Sequence, residues 1–150
     1  MAENVKVIIT NRRARHEYEL LDRVEAGIEL QGTEVKSLRA GKVNLQEAFC
    51  AVDGDGLQLM GCHIAPYEHG SYANHEATRP RRLLLHKREI EKFKKGTEQK
   101  GLTIIPLKIY FKQGWAKVEI ALARGKKLHD KRHDIAERDT QRRLDRIMKE

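Results

Sequence analysis

Phe49-Cys50-Ala51-Val52-Asp53-Gly54-Asp55-Gly56-Leu57-Gln58-Leu59-Met60 is the stretch that decides the fold. Two short apolar runs flank a doubled Asp-Gly step. Glycine reaches positive φ without a Cβ clash, so Asp53 to Gly56 turns the chain back on itself and the flanks pair as a β-hairpin. Downstream, Ala65 to Pro80 reads as a long polar loop. Arg81 to Leu85 leads into a helix over His86 to Lys95, with Ile90 and Phe93 on one face and Gly96 as its stop. Leu102 to Phe111 is rich in Ile, Leu and aromatics, and Pro106 marks a strand edge or a bulge. After a Gln113-Gly114 turn, Val118, Ile120 and Leu122 alternate with Lys117, Glu119 and Ala121.

Upstream of the hairpin, a strand is expected from His16, punctuated at Gly27. Thr33 caps a short helix carrying Val35 and Leu38, which Gly41 stops. Residues 1–15 read as an arm, flexible over 1–10 and ending in the basic knot Arg12-Arg13-Ala14-Arg15. About six short antiparallel strands with Gly-rich turns and one or two short helices make a mainly β fold. A closed, oligonucleotide-binding type of barrel suits the size and the charge. The expected division is a barrel domain over 1–123 and a basic tail over 124–150. The tail has ten Lys and Arg against six acids. Ile135 lies opposite Leu144 on a helical wheel, so no apolar stripe runs its length, and the tail is expected to be disordered when free.

The charge narrows the function. Thirty Lys+Arg against 22 Asp+Glu give +8, and the pI is about 9.6. A small domain this basic faces a polyanion. The basic clusters are Arg12/Arg13/Arg15, Lys36/Arg39/Lys42, Arg79/Arg81/Arg82 with Lys87/Arg88, and the tail. Lys and Arg release counterions from phosphates. His16, Tyr18 and Leu84 offer planar or apolar surface to bases and sugars. Trp115 reads as a core residue.

Catalysis finds no footing. There is no Gly-rich phosphate loop, no GxSxG elbow and no HExxH. His69/His75 and His129/His133 lack the Cys or acidic partners of a metal site. Asp53 and Asp55 belong to the turn, so a metal-dependent nuclease has no carboxylate cluster. No cofactor is expected. Cys50 and Cys62 sit in apolar runs and read as buried free thiols. Without a signal pattern or an apolar run of bilayer length, a cytoplasmic location is expected. A specific RNA-binding protein and a structural ribosomal barrel protein remain as competing classes.

Three stretches resemble a known family. Asn11-Arg12-Arg13-Ala14-Arg15-His16-Glu17-Tyr18, Gly32-Thr33-Glu34-Val35-Lys36-Ser37-Leu38-Arg39-Ala40-Gly41-Lys42-Val43-Asn44-Leu45 and Gly125-Lys126-Lys127-Leu128-His129-Asp130-Lys131-Arg132 are similar to the SsrA-binding proteins of bacteria. The likeness runs from about Asn11 to about Arg138. It implies a closed oligonucleotide-binding type of barrel. The ligand it implies is transfer-messenger RNA, part tRNA and part message, held near the elbow of its tRNA-like part. Delivery with elongation factor Tu to stalled ribosomes would let the incomplete chain be tagged for degradation. The resemblance places Asn11, Glu25 and Leu84 on the RNA-facing surface, with Lys36, Lys42 and Asn44 beside them. Arg13, Arg15, His16 and Arg82 join that surface by charge and proximity. A single copy is expected to act without a membrane.

The resemblance also gives the tail a place, the small-subunit decoding centre and the empty message path. A helix from Lys131 to Glu150 would be ~30 Å long. Lys131, Arg138, Arg142 and Lys149 fall within about 40° of one another on its wheel. Lys126, Lys127, His129, Asp130, Lys131, Arg132, Arg138 and Arg142 are the expected ribosome-contacting residues, with His129 stacking on a base and Asp130, Lys131 and Arg132 setting the helix start.

Overall fold

A computed structural model describes residues 5–67, 74–125 and 141–143. Strand β1 (Val5–Thr10) corrects the flexible arm: it pairs antiparallel with residues 108–112. Its Ile8 and Ile9 pack on the core, which accounts for its order. A one-turn helix, α1 (Arg13–Glu17), occupies the basic knot, so β2 begins two residues later than expected, at Tyr18, and runs unbroken through Gly27 (Tyr18–Ile28). Helix α2 (Gly32–Arg39) starts from Gln31, not Thr33, because the Gln31 backbone N–H donates to the Glu34 carboxylate at 2.8 Å. Short β3 (Val43–Asn44) precedes β4 (Phe49–Asp53) and β5 (Gly56–Met60).

The β4–β5 hairpin forms as read. Asp53 faces Gly56 and Gly54 sits at φ 57°. Then come β6 (His63–Ile64), β7 (Arg81–Leu84), α3 (Lys87–Lys100), β8 (Thr103–Lys112) and β9 (Trp115–Gly125). Helix α3 does not stop at Gly96. That glycine is buried against Leu122, where an added Cβ would lie 2.8 Å from a Leu122 methyl. The stop is Gly101, in the left-handed conformation. A glycine chosen for close packing reads like one chosen for capping. Strand β9 extends through Gly125, which pairs with Tyr18, so residues 124 and 125 belong to the sheet, not to the tail.

Among the described residues, six of the nine strands close an antiparallel ring, β8-β4-β5-β7-β2-β9, with β9 returning to β8. β1 extends the edge of β8, and β3 pairs only with β6. Alternation along the ring sends Ala26, Ile28, Leu57, Leu59, Leu83, Ile104, Ile109, Val118, Ile120 and Leu122 into one core, joined by Leu38 and Phe93 from the helices. A smaller cluster lies on the other face of β8 and β9, where Ala14 of α1 covers Ile105, Leu107, Ala121 and Ala123. Buried on both faces, β8 reads as a continuous apolar run.

Pro106 sits at a bulge as expected: it faces Ile120 while Lys108 faces Glu119, leaving Leu107 as the extra residue. Cys50 and Cys62 are buried free thiols, and burial holds the Cys62 thiol up at about 11. No helix among the described residues is long and apolar enough to cross a membrane. The tail positions Lys126, Lys127, His129, Asp130, Lys131, Arg132 and Arg138 lie outside the described residues. Arg142 lies in a helical stretch, 141–143, and is exposed.

Candidate nucleic-acid interface

The bulge in β8 shapes the charged face. The extra residue reverses the alternation beyond it, so Ile109 and Phe111 go to the core and Lys108, Tyr110 and Lys112 turn outward. Across β9 they meet Lys117 and Glu119, and beyond those Arg23 and Glu25 of β2. Three adjacent strands thereby present one band of alternating charge.

At one end of the band is a groove lined by Asn11, Arg12, Arg15, Arg23, Lys108 and Glu119. Asn11 is fixed at its rim. Its backbone N–H donates to the Leu107 carbonyl at 2.7 Å, and its Nδ2 to the Pro106 carbonyl at 3.0 Å. One acceptor belongs to the bulge residue itself and the other to the proline before it. Glu119 stands between Arg23 and Lys108, each 3.8 Å from one of its oxygens, so the groove keeps a net positive charge.

Glu25 occupies the middle. The Tyr110 hydroxyl donates to its Oε2 at 2.5 Å, and the Lys112 ammonium lies 3.5 Å from the same oxygen. The Tyr110 bond pulls the Glu25 carboxyl below its ordinary value, against partial burial and with help from Lys112 and Lys117. An ionised acid is therefore held inside a cationic band.

Leu84 marks the other end. It pairs across the sheet with Gly27, where an added Cβ would come 3.1 Å from that of Leu84. With Leu30, Val35, Trp115 and Lys117 it lines an apolar groove. Trp115 corrects the core reading: it is 74% exposed, because it opens β9 directly after the Gly114 turn. Leu84 is also exposed, at 53%, and Arg82 points to the same side of β7 two residues away.

Not every expected cation reaches this surface. Arg81 is fully buried; its Nε donates to Glu34, and its Nη1 to the Cys62 carbonyl at 2.7 Å. Arg79 donates to Glu34 as well. Of the Arg79/Arg81/Arg82 cluster, Arg82 alone remains exposed, since two arginines neutralise and orient a buried acid. Arg13 leaves its neighbours: it pairs with Glu17 at 3.2 Å and lines a separate cleft with Gln46, Phe49 and Thr103. His16 is half-buried in α1. Lys36 and Lys42 are exposed, with the Lys36 ammonium 5.1 Å from the Tyr67 ring centre. Asn44 uses its Oδ1 to accept the Gln46 N–H at 2.8 Å, which shapes the turn before the hairpin.

The residues missed in the sequence are Arg23, Lys108, Tyr110, Lys112 and Lys117. For Lys108, Tyr110 and Lys112 the signal was the strict polar–apolar alternation of Lys108-Ile109-Tyr110-Phe111-Lys112, masked by the apolar run before it; Lys117 lay in the alternation read for residues 117–122, and Arg23 had no comparable signal. Among the described residues no three His, Cys, Asp or Glu side chains gather as metal ligands. His75 is a buried structural residue: its Nε2 bonds the Ile64 carbonyl and its Nδ1 the Thr33 hydroxyl, each at 2.9 Å. What the band can do is hold phosphates at its cations and read donor groups at Glu25.

The SmpB protein family model matches residues 8–150. The SsrA-binding protein of Pelotomaculum thermopropionicum is 58% identical over 146 residues, covering 97% of this chain and 95% of its own. That of Nostoc punctiforme is 55% identical over 148 residues, covering 98% and 96%. A solved structure described as "tmRNA-SmpB: a journey to the center of the bacterial ribosome" matches with a TM-score of 0.67 and 57% identity, over 80% of this chain and 85% of the other.

Proposed function

Because this chain belongs to the SmpB protein family, we propose that it binds transfer-messenger RNA and carries it to stalled bacterial ribosomes, where incomplete chains are tagged. The observation that carries the reading is the band across β2, β9 and β8. Arg12, Arg15, Arg23 and Lys108 form a cationic groove at one end, Glu25 lies in the middle, and Leu84 and Trp115 expose apolar surface at the other. Cations hold phosphates wherever they lie, whereas an ionised carboxylate accepts from base amino or imino groups or a 2′-OH. Flat apolar groups accept unstacked bases or sugars. Together they suit a folded RNA with splayed nucleotides, such as the elbow of a tRNA-like domain, better than a uniform duplex.

On this reading Asn11, Arg15, His16, Lys36, Lys42, Asn44 and Arg82 contact the RNA; of these, Asn11 and Arg15 line the cationic groove, and Arg82 shares the exposed side of β7 with Leu84. Arg13 serves the surface less directly, from the far side of α1. Beyond Gly125 the tail supplies the ribosomal contact, with Lys126, Lys127, His129, Asp130, Lys131, Arg132, Arg138 and Arg142 along the decoding centre and message path. Elongation factor Tu joins through the RNA complex, the chain acts as a monomer, and the location is cytoplasmic. The test is to sequence the RNA that co-purifies with the full chain and to measure Glu25→Ala against that RNA and an unrelated tRNA. A single dominant small RNA, bound much more weakly by the variant while the unrelated tRNA is little affected, is the expected result. A mixed RNA population, or equal loss on both, rejects the reading.

A further inference from the structure

Tyr110 is 5% exposed and therefore offers almost nothing to a ligand directly. It lies opposite Lys117 in the β8–β9 pairing, and Lys117 in turn faces Gly27 of β2. From that position its hydroxyl crosses β9 to reach Glu25, which is exposed on β2. Its ring is further held by the Lys108 ammonium, 5.4 Å from the ring centre. A phenol packed into the sheet has one direction in which to donate, so it pins one carboxylate oxygen. Lys112 approaches that same Oε2, and neither contact uses Oε1.

We propose that Tyr110 is a positioning residue for Glu25, aiming the carboxylate so that Oε2 is retained by the protein and Oε1 is presented to a donor edge of the bound RNA. The proposal rests on the RNA-binding reading above and adds what fixes specificity within it. A glutamate on a strand surface ordinarily samples several rotamers, and ordering it on binding opposes affinity. Preorganisation by Tyr110 removes most of that loss. It also confines the Lys112 contact to Oε2, the oxygen that the hydroxyl already holds. The charged groups facing Glu25 are Arg23 on its own strand, Lys117 and Glu119 on β9, and Lys108 and Lys112 on β8. Among these the tyrosine hydroxyl supplies direction, while the lysines supply charge.

The test is Tyr110→Phe in the full chain, which removes only the hydroxyl. Binding to the cognate RNA should weaken about five- to tenfold, with little change for an unrelated tRNA-sized RNA. In a Glu25→Ala background the same substitution should have no further effect. The Glu25 carboxyl, followed by NMR in the free protein, should titrate at higher pH in the variant, so that affinity for the cognate RNA fails earlier as pH falls. Lys112→Gln keeps the hydroxyl bond and should weaken both RNAs alike. An unaltered Glu25 titration, or a Tyr110→Phe loss that persists without Glu25, overturns the positioning role alone. If Glu25→Ala itself discriminates between no RNAs, the RNA-binding reading of the acid falls with it.

Discussion

Arg81 donates its Nε to the Oε2 of Glu34 with both side chains fully excluded from solvent. Arg79 closes on the other oxygen, Oε1, which also accepts the Gln31 N–H that starts α2. One acid thus ties α2, β7 and the end of the loop before β7 together. Glu34→Ala would strand a buried guanidinium, and breaking a buried pair in this way costs about 3–5 kcal/mol. Chemical denaturation of the variant should show a loss of that size, with Glu34→Gln intermediate. A change below about 1 kcal/mol would show that the barrel does not depend on this network.

The same acid sets an acid limit. Burial opposes ionisation of Glu34, but Arg79, the Gln31 N–H and Arg81 together hold its carboxyl below the ordinary glutamate value. A depressed folded pKa means that the stabilisation is fully present above the unfolded value, near 4.5. It is lost as pH falls from there through the folded value. Unfolding free energy should therefore hold level through neutral pH and drop below about 4.5. Glu34→Gln should flatten that drop. An equally steep drop in the variant would assign it to other carboxylates.

Gly61 carries a different constraint. Its φ is +67°, and an added Cβ would lie 2.6 Å from the Glu47 carbonyl oxygen. Backbone cannot rotate away as a side chain can. Gly61→Ala should destabilise by about 1–3 kcal/mol, whereas Gly32→Ala, with open space around it and a helical backbone, should be neutral or better. Comparing their thermal midpoints separates the two cases.

Salt should act through the cationic groove. With about five phosphate contacts, log K should fall with log salt at a slope of roughly −3 to −5. Replacing Arg23 and Lys108 by Gln should lower the slope by up to about two, and less if Glu119 already neutralises part of their charge. A slope that does not change would place the phosphates elsewhere.

Removal of the tail should divide binding from use. Because β9 extends through Gly125, the cut belongs after Gly125 and not within the strand. The shortened chain should hold transfer-messenger RNA with nearly full affinity but fail to support tagging on stalled ribosomes. Surviving tagging would overturn the role given to the tail; lost RNA binding would make it part of the primary site.

The sequence by itself determined the local elements whose signals are local. The Asp53–Gly56 hairpin, the Pro106 bulge, the Gln113-Gly114 turn and the inward alternation of Val118, Ile120 and Leu122 follow from φ preferences and side-chain periodicity over a few residues. The closed barrel and the basic surface were legible from such elements and from net charge, and the three motifs carried the family. Tertiary structure decided what depends on partners far along the chain. Whether Val5–Thr10 is an arm or a strand depends on β8, about a hundred residues away. Gly96 is a packing residue only because Leu122 arrives beside it. Arg81 and Arg82 are adjacent and chemically identical, yet strand alternation sends one to a buried acid and the other to solvent. Tyr110 meets Glu25 across 85 residues and an intervening strand, and that contact exists only once the ring has closed.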